Sequence, residues 1–189
     1  MKFNELINIS VLEETLGFVK SLILSSSAGK YQYKKEYFEI LNTTVKESEM
    51  TLYRGISFLY SKTDKENYIE LLHKKEDDII SEKFFKNSNY ILHYSKNQRT
   101  AKQYAKGGLE VVIKSRVNKD SILCDLANIE KTFDRNILSR FFDEEDLKYM
   151  KKEKEIFILN ENIEGEIVFM KRTDKFDSIA LSLYKKGLL

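Results

Sequence analysis

Apolar residues near the N-terminus recur at the three-to-four-residue spacing of a helix, at Val11, Leu12, Leu16, Val19, Leu22 and Ile23. Ser10 and Glu13, three residues apart at the start of this run, are typical of a capping box. Small residues at 25–29 interrupt the pattern. A second helix is predicted after them, with one face formed by Tyr33, Tyr37, Phe38, Leu41 and Val45.

Past residue 49 the pattern changes to short runs that are typical of strands. We predict strands at 50–56, 90–95, 109–117, 121–126, 156–159, 166–171 and 179–184. Helical segments are predicted around 67–80, at 98–106 between Asn97 as a cap and Gly107 as a stop, and, in part, at 130–152. Helices followed by strands, without an alternating strand–helix–strand rhythm, indicate an α+β fold with mainly antiparallel sheets.

No repeat or linker divides the chain, so we expect residues 1–189 to form a single domain. Its helical N-terminal portion is predicted to cover about 1–48 and its β-rich catalytic core about 49–189.

The composition narrows the classes of function. The 32 Lys and Arg residues nearly balance the 30 Asp and Glu residues, so no overall cation excess favours nucleic acid or an anionic membrane. One cysteine, Cys124, and two histidines make a disulfide or a Cys/His metal site unexpected. No apolar run approaches the roughly 20 residues of a membrane span, and the N-terminus does not resemble a signal peptide. We therefore expect a cytoplasmic protein that does not bind a membrane.

Three short segments carry the candidate chemistry. In the first, Arg54 lies near the end of a predicted strand and Gly55 follows it. A guanidinium offers phosphate a planar fork of donors, and a glycine lets a ligand approach the backbone. The pair suits a phosphate or pyrophosphate, although an ordinary exposed strand arginine is the simpler interpretation of this segment alone.

The second segment is His93, Tyr94 and Ser95, at the end of a predicted strand that leads into a helix capped by Asn97. Such a junction brings hydroxyl, imidazole and backbone N–H donors together. Taken alone, a capped helix beside a histidine with satisfied hydrogen bonds is the simpler interpretation of this segment.

The third segment is Glu153 and Glu155, directly before the apolar run 156–159. If both lie in the strand, they share one face at a separation of ~6.5–7 Å. One carboxylate can then stabilise a cationic sugar while the other handles the proton of the nucleophile. A solvated charge run is the simpler interpretation, since 148–155 is charged except for Tyr149 and Met150.

Together and in this order, the segments resemble the mono-ADP-ribosyltransferases of the Arg-Ser-Glu class. This class has an Arg strand, a Ser strand followed by an Ala-x-x-aromatic-Ala helix, and Glu-x-Glu before an apolar strand, and it includes bacterial toxins and modifying enzymes of phages. The resemblance covers about two thirds of the chain, up to about Lys171. It implies two mainly antiparallel sheets that form an NAD cleft, NAD as co-substrate, and no metal.

The resemblance implies a role for each motif residue. Arg54, beside Gly55, corresponds to the arginine that binds the NAD phosphates and braces the cleft. His93, Tyr94 and Ser95 stand where the family has Ser-Thr-Ser, and the first of those serines hydrogen-bonds the catalytic glutamate. A histidine can donate the same hydrogen bond. The resemblance implies two further contacts with NAD. Tyr104 corresponds to an aromatic that lies over nicotinamide, and Lys106 corresponds to a phosphate contact.

The two glutamates are implied to divide the chemistry. Glu155 resembles the catalytic glutamate that bonds the ribose and stabilises the developing cation. Glu153 resembles the residue that activates the acceptor, usually an arginine of a protein target in a host or competitor cell. Phe142 and Tyr149 resemble the segment that recognises this target.

Other partners and functions stay open. One alternative acceptor is a side chain other than arginine. Another is nucleic acid, which the lysine pairs at 74–75, 151–152 and 185–186 could hold. The resemblance also allows a neutralising partner, and we expect a monomer. The alternative of another class is a non-enzymatic interaction module of a phage or toxin system, whose surface would use the 12 Phe and 11 Tyr residues.

Overall fold

The computed structural model describes residues 8–24, 34–58, 65–81, 91–159 and 163–187. These residues form eight α-helices and seven strands, which confirms the α+β class. The helices are α1 (Ile9–Leu24), α2 (Lys35–Leu41), α3 (Lys65–His73), α4 (Gln98–Tyr104), α5 (Ile129–Thr132), α6 (Arg135–Leu138), α7 (Glu144–Glu153) and α8 (Asp174–Lys185). The strands are β1 (Glu49–Phe58), β2 (Ile79–Ser81), β3 (Ile91–Ser95), β4 (Leu109–Asn118), β5 (Ile122–Asp125), β6 (Glu155–Leu159) and β7 (Glu164–Lys171). No helix within these ranges is long and apolar enough to cross a membrane.

The described strands form one sheet of seven, in the order β2-β7-β4-β1-β3-β6-β5. The expectation of two sheets is therefore not met. Four of its pairings, β1–β3, β2–β7, β4–β7 and β5–β6, are antiparallel, as predicted. Local patterns identify strands, but the grouping of strands depends on hydrogen bonds between segments that are distant in the chain.

Three predicted elements are wrong in detail. The helix predicted around 67–80 ends at His73, and 79–81 form β2. Residues 179–184 are not a strand, because they belong to α8, which begins after Thr173, whose hydroxyl accepts from the N–H of Phe176. The cap of α1 is Asn8 rather than Ser10, since the Asn8 side chain accepts from the backbone N–H of Ser10 at 3.0 Å. The predicted cap of α4 is confirmed, because the side chain of Asn97 accepts from the N–H of Arg99. The helix begins at Gln98, as predicted, and ends at Tyr104. The predicted break at 25–29 lies outside the described residues.

The chain folds into two compact units that alternate along the sequence. The first unit consists of Met1–Met50, Asn87–His93 and Val117–Glu161, and the second of Thr51–Lys86, Tyr94–Arg116 and Asn162–Leu189. Strand β3 contributes to both, with His93 in the first unit and Tyr94 in the second.

The first unit has a core built around α1. The buried face of α1 packs together with apolar residues of α2, β5, α7 and β6. Its fully buried members include Leu16, Val19, Leu22, Leu41, Leu123 and Phe157. This packing fixes α7 and β6, the two elements that carry the candidate glutamates.

In the second unit, α4 packs on the sheet. Ala101 of α4 and Ala105, the residue that caps its C-terminus, form a cluster with Val112 of β4, against which Tyr53 and Phe169 also pack. Two alanines on one helix face allow the close approach that this packing requires.

Candidate active site

The junction between α7 and β6 positions both candidate glutamates. Helix α7 starts at a capping box, in which Asp143 and Asp146 accept from each other's backbone N–H, and it ends at Glu153. Lys154 adopts the left-handed conformation, with φ of 49°, and Glu155 begins β6. The prediction that both carboxylates lie on one strand face is therefore wrong. The left-handed residue redirects the chain between them, which the Glu-Lys-Glu pattern does not reveal.

Glu155 is nearly buried, with 12% of its side chain exposed. Its Oε1 lies 2.7 Å from Nδ1 of His93, and its Oε2 lies 3.5 Å from the hydroxyl of Tyr149. Because an ionised carboxylate only accepts hydrogen bonds, the Nδ1–H of His93 donates to it. This is the contact that the resemblance implies for the first residue of the Ser-Thr-Ser position.

The His93 ring is fixed on two sides. Its centroid lies 4.8 Å from that of the Phe157 ring, at an interplanar angle of 58°. Its Nε2 atom is buried and has no hydrogen-bond partner among the described residues. With the proton on Nδ1, Nε2 is an acceptor, and leaving a buried acceptor without a donor costs about 1–3 kcal/mol. The position therefore suits a hydrogen-bond donor supplied by a ligand.

Tyr149 and Glu153 lie four residues apart on α7, so they share a face of the helix. The Glu153 side chain is 14% exposed, and its Oε1 lies 3.7 Å from Nζ of Lys152. The first unit thus brings His93, Tyr149 and Glu155 together and places Glu153 one helical turn beyond Tyr149.

Phe142 does not suit the predicted role in target recognition. It is 2% exposed and belongs to the core of the first unit, with Leu138, Leu147 and Met150. Phe142 lies four residues after Leu138, which is a helical spacing, and that spacing was a signal for burial. Phe157 is the residue that the motifs did not indicate, and it supports the His93 ring from the apolar strand.

Arg54 lies in the second unit, on β1. Because Tyr53 is paired with Ser95, Arg54 faces Tyr94 across the strands, and its Cζ lies 5.8 Å from the centroid of the Tyr94 ring. Tyr94 and Ser95 are both buried, and the Ser95 hydroxyl accepts from the N–H of Asn97 at 3.1 Å. Tyr94 and Ser95 therefore support the local fold.

The structure explains why residue 55 is a glycine, and the sequence did not indicate this explanation. A Cβ at this position would lie 1.7 Å from the carbonyl oxygen of Ala101 on α4. The backbone that approaches Gly55 is thus α4, and the prediction that this glycine makes room for a ligand is not supported. Tyr104, the last residue of α4, is 56% exposed, and Lys106, in the turn that follows, is also exposed, so both are accessible to a ligand.

Other candidate groups are engaged elsewhere. Nζ of Lys151 lies 2.5 Å from Oε2 of Glu130, and Nζ of Lys74 lies 3.9 Å from Oε1 of Glu70. The charges of the lysine pairs at 151–152 and 74–75 are therefore partly neutralised. Burial raises the pKa of the Cys124 thiol, which makes it a poor nucleophile. The described ranges contain no group of three or more His, Cys, Asp or Glu side chains that could hold a metal ion.

Comparisons of the chain with protein-family models, with curated proteins and with solved structures found no match. Its activity has to be inferred from its own residues and contacts.

Proposed function

We propose that the protein is a mono-ADP-ribosyltransferase. It transfers ADP-ribose from NAD to a macromolecular acceptor, an arginine of a target protein, and releases nicotinamide. The 2.7 Å hydrogen bond between His93 Nδ1 and Glu155 Oε1 carries the proposal, because it joins two of the three motifs across 62 residues. A solvated charge run would not bury its last carboxylate against a histidine of another strand.

The chemistry follows from the two glutamates. When the bond between nicotinamide and ribose breaks, nicotinamide leaves with the bonding electrons and positive charge develops on the ribose. Glu155, oriented by His93 and shielded from water, stabilises that charge. The lone pair of the acceptor then forms the new bond to the ribose carbon, and Glu153 takes the proton that the acceptor gives up.

Each unit by itself contains groups with the chemistry to bind a part of NAD. The buried Nε2 of His93 is an acceptor that suits a ribose hydroxyl. The guanidinium of Arg54 matches the geometry of a pyrophosphate, and the exposed ring of Tyr104 can stack on a flat heterocycle.

Nucleic acid is the second candidate acceptor. The stretch 96–108 contains Lys96, Arg99, Lys102 and Lys106 and has no acidic residue, which differs from the balanced charge of the whole chain. Tyr104, exposed in the same stretch, adds an aromatic surface of the kind on which bases stack.

Release of nicotinamide from labelled NAD tests the proposal. Glu155→Gln should lower release and transfer by about 10²–10³-fold, because it removes a group that stabilises the transition state. Glu153→Gln should lose transfer but keep slow hydrolysis of NAD, since water needs less orientation than a side-chain acceptor.

Glu49→Gln is the matched control, because Glu49 also begins a strand but is exposed. It should behave as the wild type. Equal losses of hydrolysis in the Glu153 and Glu155 variants would refute the division of roles, and a wild type that releases no nicotinamide would favour a non-enzymatic interaction module.

A further inference from the structure

Tyr149 is expected from the resemblance to contact the target, yet its hydroxyl lies 3.5 Å from Oε2 of Glu155. We propose that Tyr149 is a positioning residue, which holds the second oxygen of the Glu155 carboxylate and so acts on nicotinamide release. This inference rests on the proposed function and assigns Tyr149 to the first chemical step rather than to the choice of acceptor.

The backbone fixes the position of this hydroxyl. Leu147 and Met150, on either side of Tyr149 in α7, are buried in the core of the first unit, so the helix cannot rotate about its axis without exposing them. The left-handed Lys154 then redirects the chain, and β6 begins beside the last turns of α7. Tyr149 is therefore presented to Glu155 by packing and not by a mobile loop.

The carboxylate has one partner on each oxygen. His93 donates to Oε1 from β3, and Tyr149 faces Oε2 from α7. These are the partners of Glu155 within the described part of the chain. A single hydrogen bond leaves the carboxylate free to turn about its last bond, whereas a donor on each oxygen fixes its plane.

The Tyr149 contact is long for a hydrogen bond to a carboxylate, which is typically about 2.5–2.7 Å from a hydroxyl. Catalytic hydrogen bonds often tighten only in the complex with substrate. The main effect of Tyr149 should therefore appear in kcat and not in the binding of NAD.

The experiment measures nicotinamide release without acceptor for the wild type and for Tyr149→Phe, which keeps the ring and removes the hydroxyl. We expect kcat to fall about tenfold, with the KM for NAD within about twofold of the wild type, and transfer to fall by the same factor. The control is Tyr184→Phe, because Tyr184 is 71% exposed on α8, and it should retain the wild-type rate. Unchanged release with a raised KM for the acceptor would make Tyr149 a target-recognition residue and overturn the inference.

A double-mutant cycle keeps the test decisive if Tyr149→Phe also affects folding. In the Glu155→Gln background the hydroxyl has no carboxylate to orient, so adding Tyr149→Phe should change the residual rate less than about twofold. A further tenfold loss would show that Tyr149 does not act through Glu155. A wild type that releases no nicotinamide overturns the proposed function together with this inference, whereas full release by Tyr149→Phe overturns the inference alone.

Discussion

His93 differs from the serine that the resemblance implies because its ring carries two nitrogens on different edges. Nδ1 donates to Glu155, the ring packs on Phe157, and Nε2 is left as a buried acceptor. A serine hydroxyl could supply the first contact, but its donor and its acceptor share one oxygen, whereas His93 has its acceptor on a separate ring atom. The bond to Glu155 is the one that the resemblance implies, whereas the support from Phe157 depends on the packing of β6.

At Arg54, the proposed role depends on the shape of the guanidinium as well as its charge. Arg54→Lys should weaken the binding of NAD, because an ammonium cannot form the paired hydrogen bonds of a planar fork. Titration calorimetry with NAD measures the effect. Arg116→Lys is the control, since Arg116 is an exposed arginine of β4, and it should leave the affinity unchanged. Equal affinities for all three proteins would remove Arg54 from the NAD site.

At the scale of elements, the packing of α4 on β1 requires a glycine. Gly55→Ala should destabilise the protein by at least about 1–3 kcal/mol, because the new Cβ would lie 1.7 Å from a backbone oxygen that cannot move alone. Gly17→Ala is the matched comparison within α1, where the nearest atom is 3.9 Å away. It should stabilise by about 0.5–1 kcal/mol, since alanine favours a helix interior. In urea unfolding, the midpoint should fall for Gly55→Ala and rise for Gly17→Ala. Similar midpoints for the two variants would contradict the packing of α4.

Helix α7 should respond to acid through its cap. The backbone N–H of Asp146 donates to the Asp143 carboxylate and holds its pKa below the ordinary value. A lowered pKa stabilises the fold above the unfolded value of about 3.9, and that stability is lost as the pH falls through the folded value.

Asp143→Asn keeps a capping acceptor but has no charge to lose. Between about pH 5 and about pH 3, the urea midpoint of the wild type should therefore fall further than that of the variant. Parallel decreases in the two proteins would show that this cap does not contribute to the acid sensitivity.

The elements that were predicted correctly have strong local signals. Asn97 before α4 and the alternation in β4 are both readable from a few residues. The run at 179–184 was predicted as a strand because its apolar residues lie close together. The cap at Thr173 and the buried pair Phe176 and Leu183 define a helix only over a longer window. Glu153 was misplaced for a related reason, since a left-handed turn at a lysine has no distinctive residue type.

For the whole molecule, the sequence supports the α+β class but not the arrangement of its parts. A helical portion at about 1–48 and a β-rich remainder are visible in the pattern. The structure instead joins the N-terminal helices to β5, α7 and β6 in one core, and these elements are far apart in the chain. Contacts across such distances depend on complementary packing, which periodicity does not encode. The contact between His93 and Glu155 was expected from the resemblance, whereas the contacts of Tyr149 and Phe157 required the three-dimensional fold.

The core around α1 has a consequence for the order in which the protein is made. Helix α1 leaves the ribosome before β6, which belongs to the same core and follows about 130 residues later, from Leu24 to Glu155. At roughly 5–20 residues per second, that interval is on the order of ten seconds. During this interval the apolar face of α1 lacks its final partners, and it is a surface to which a chaperone acting on the nascent chain can bind.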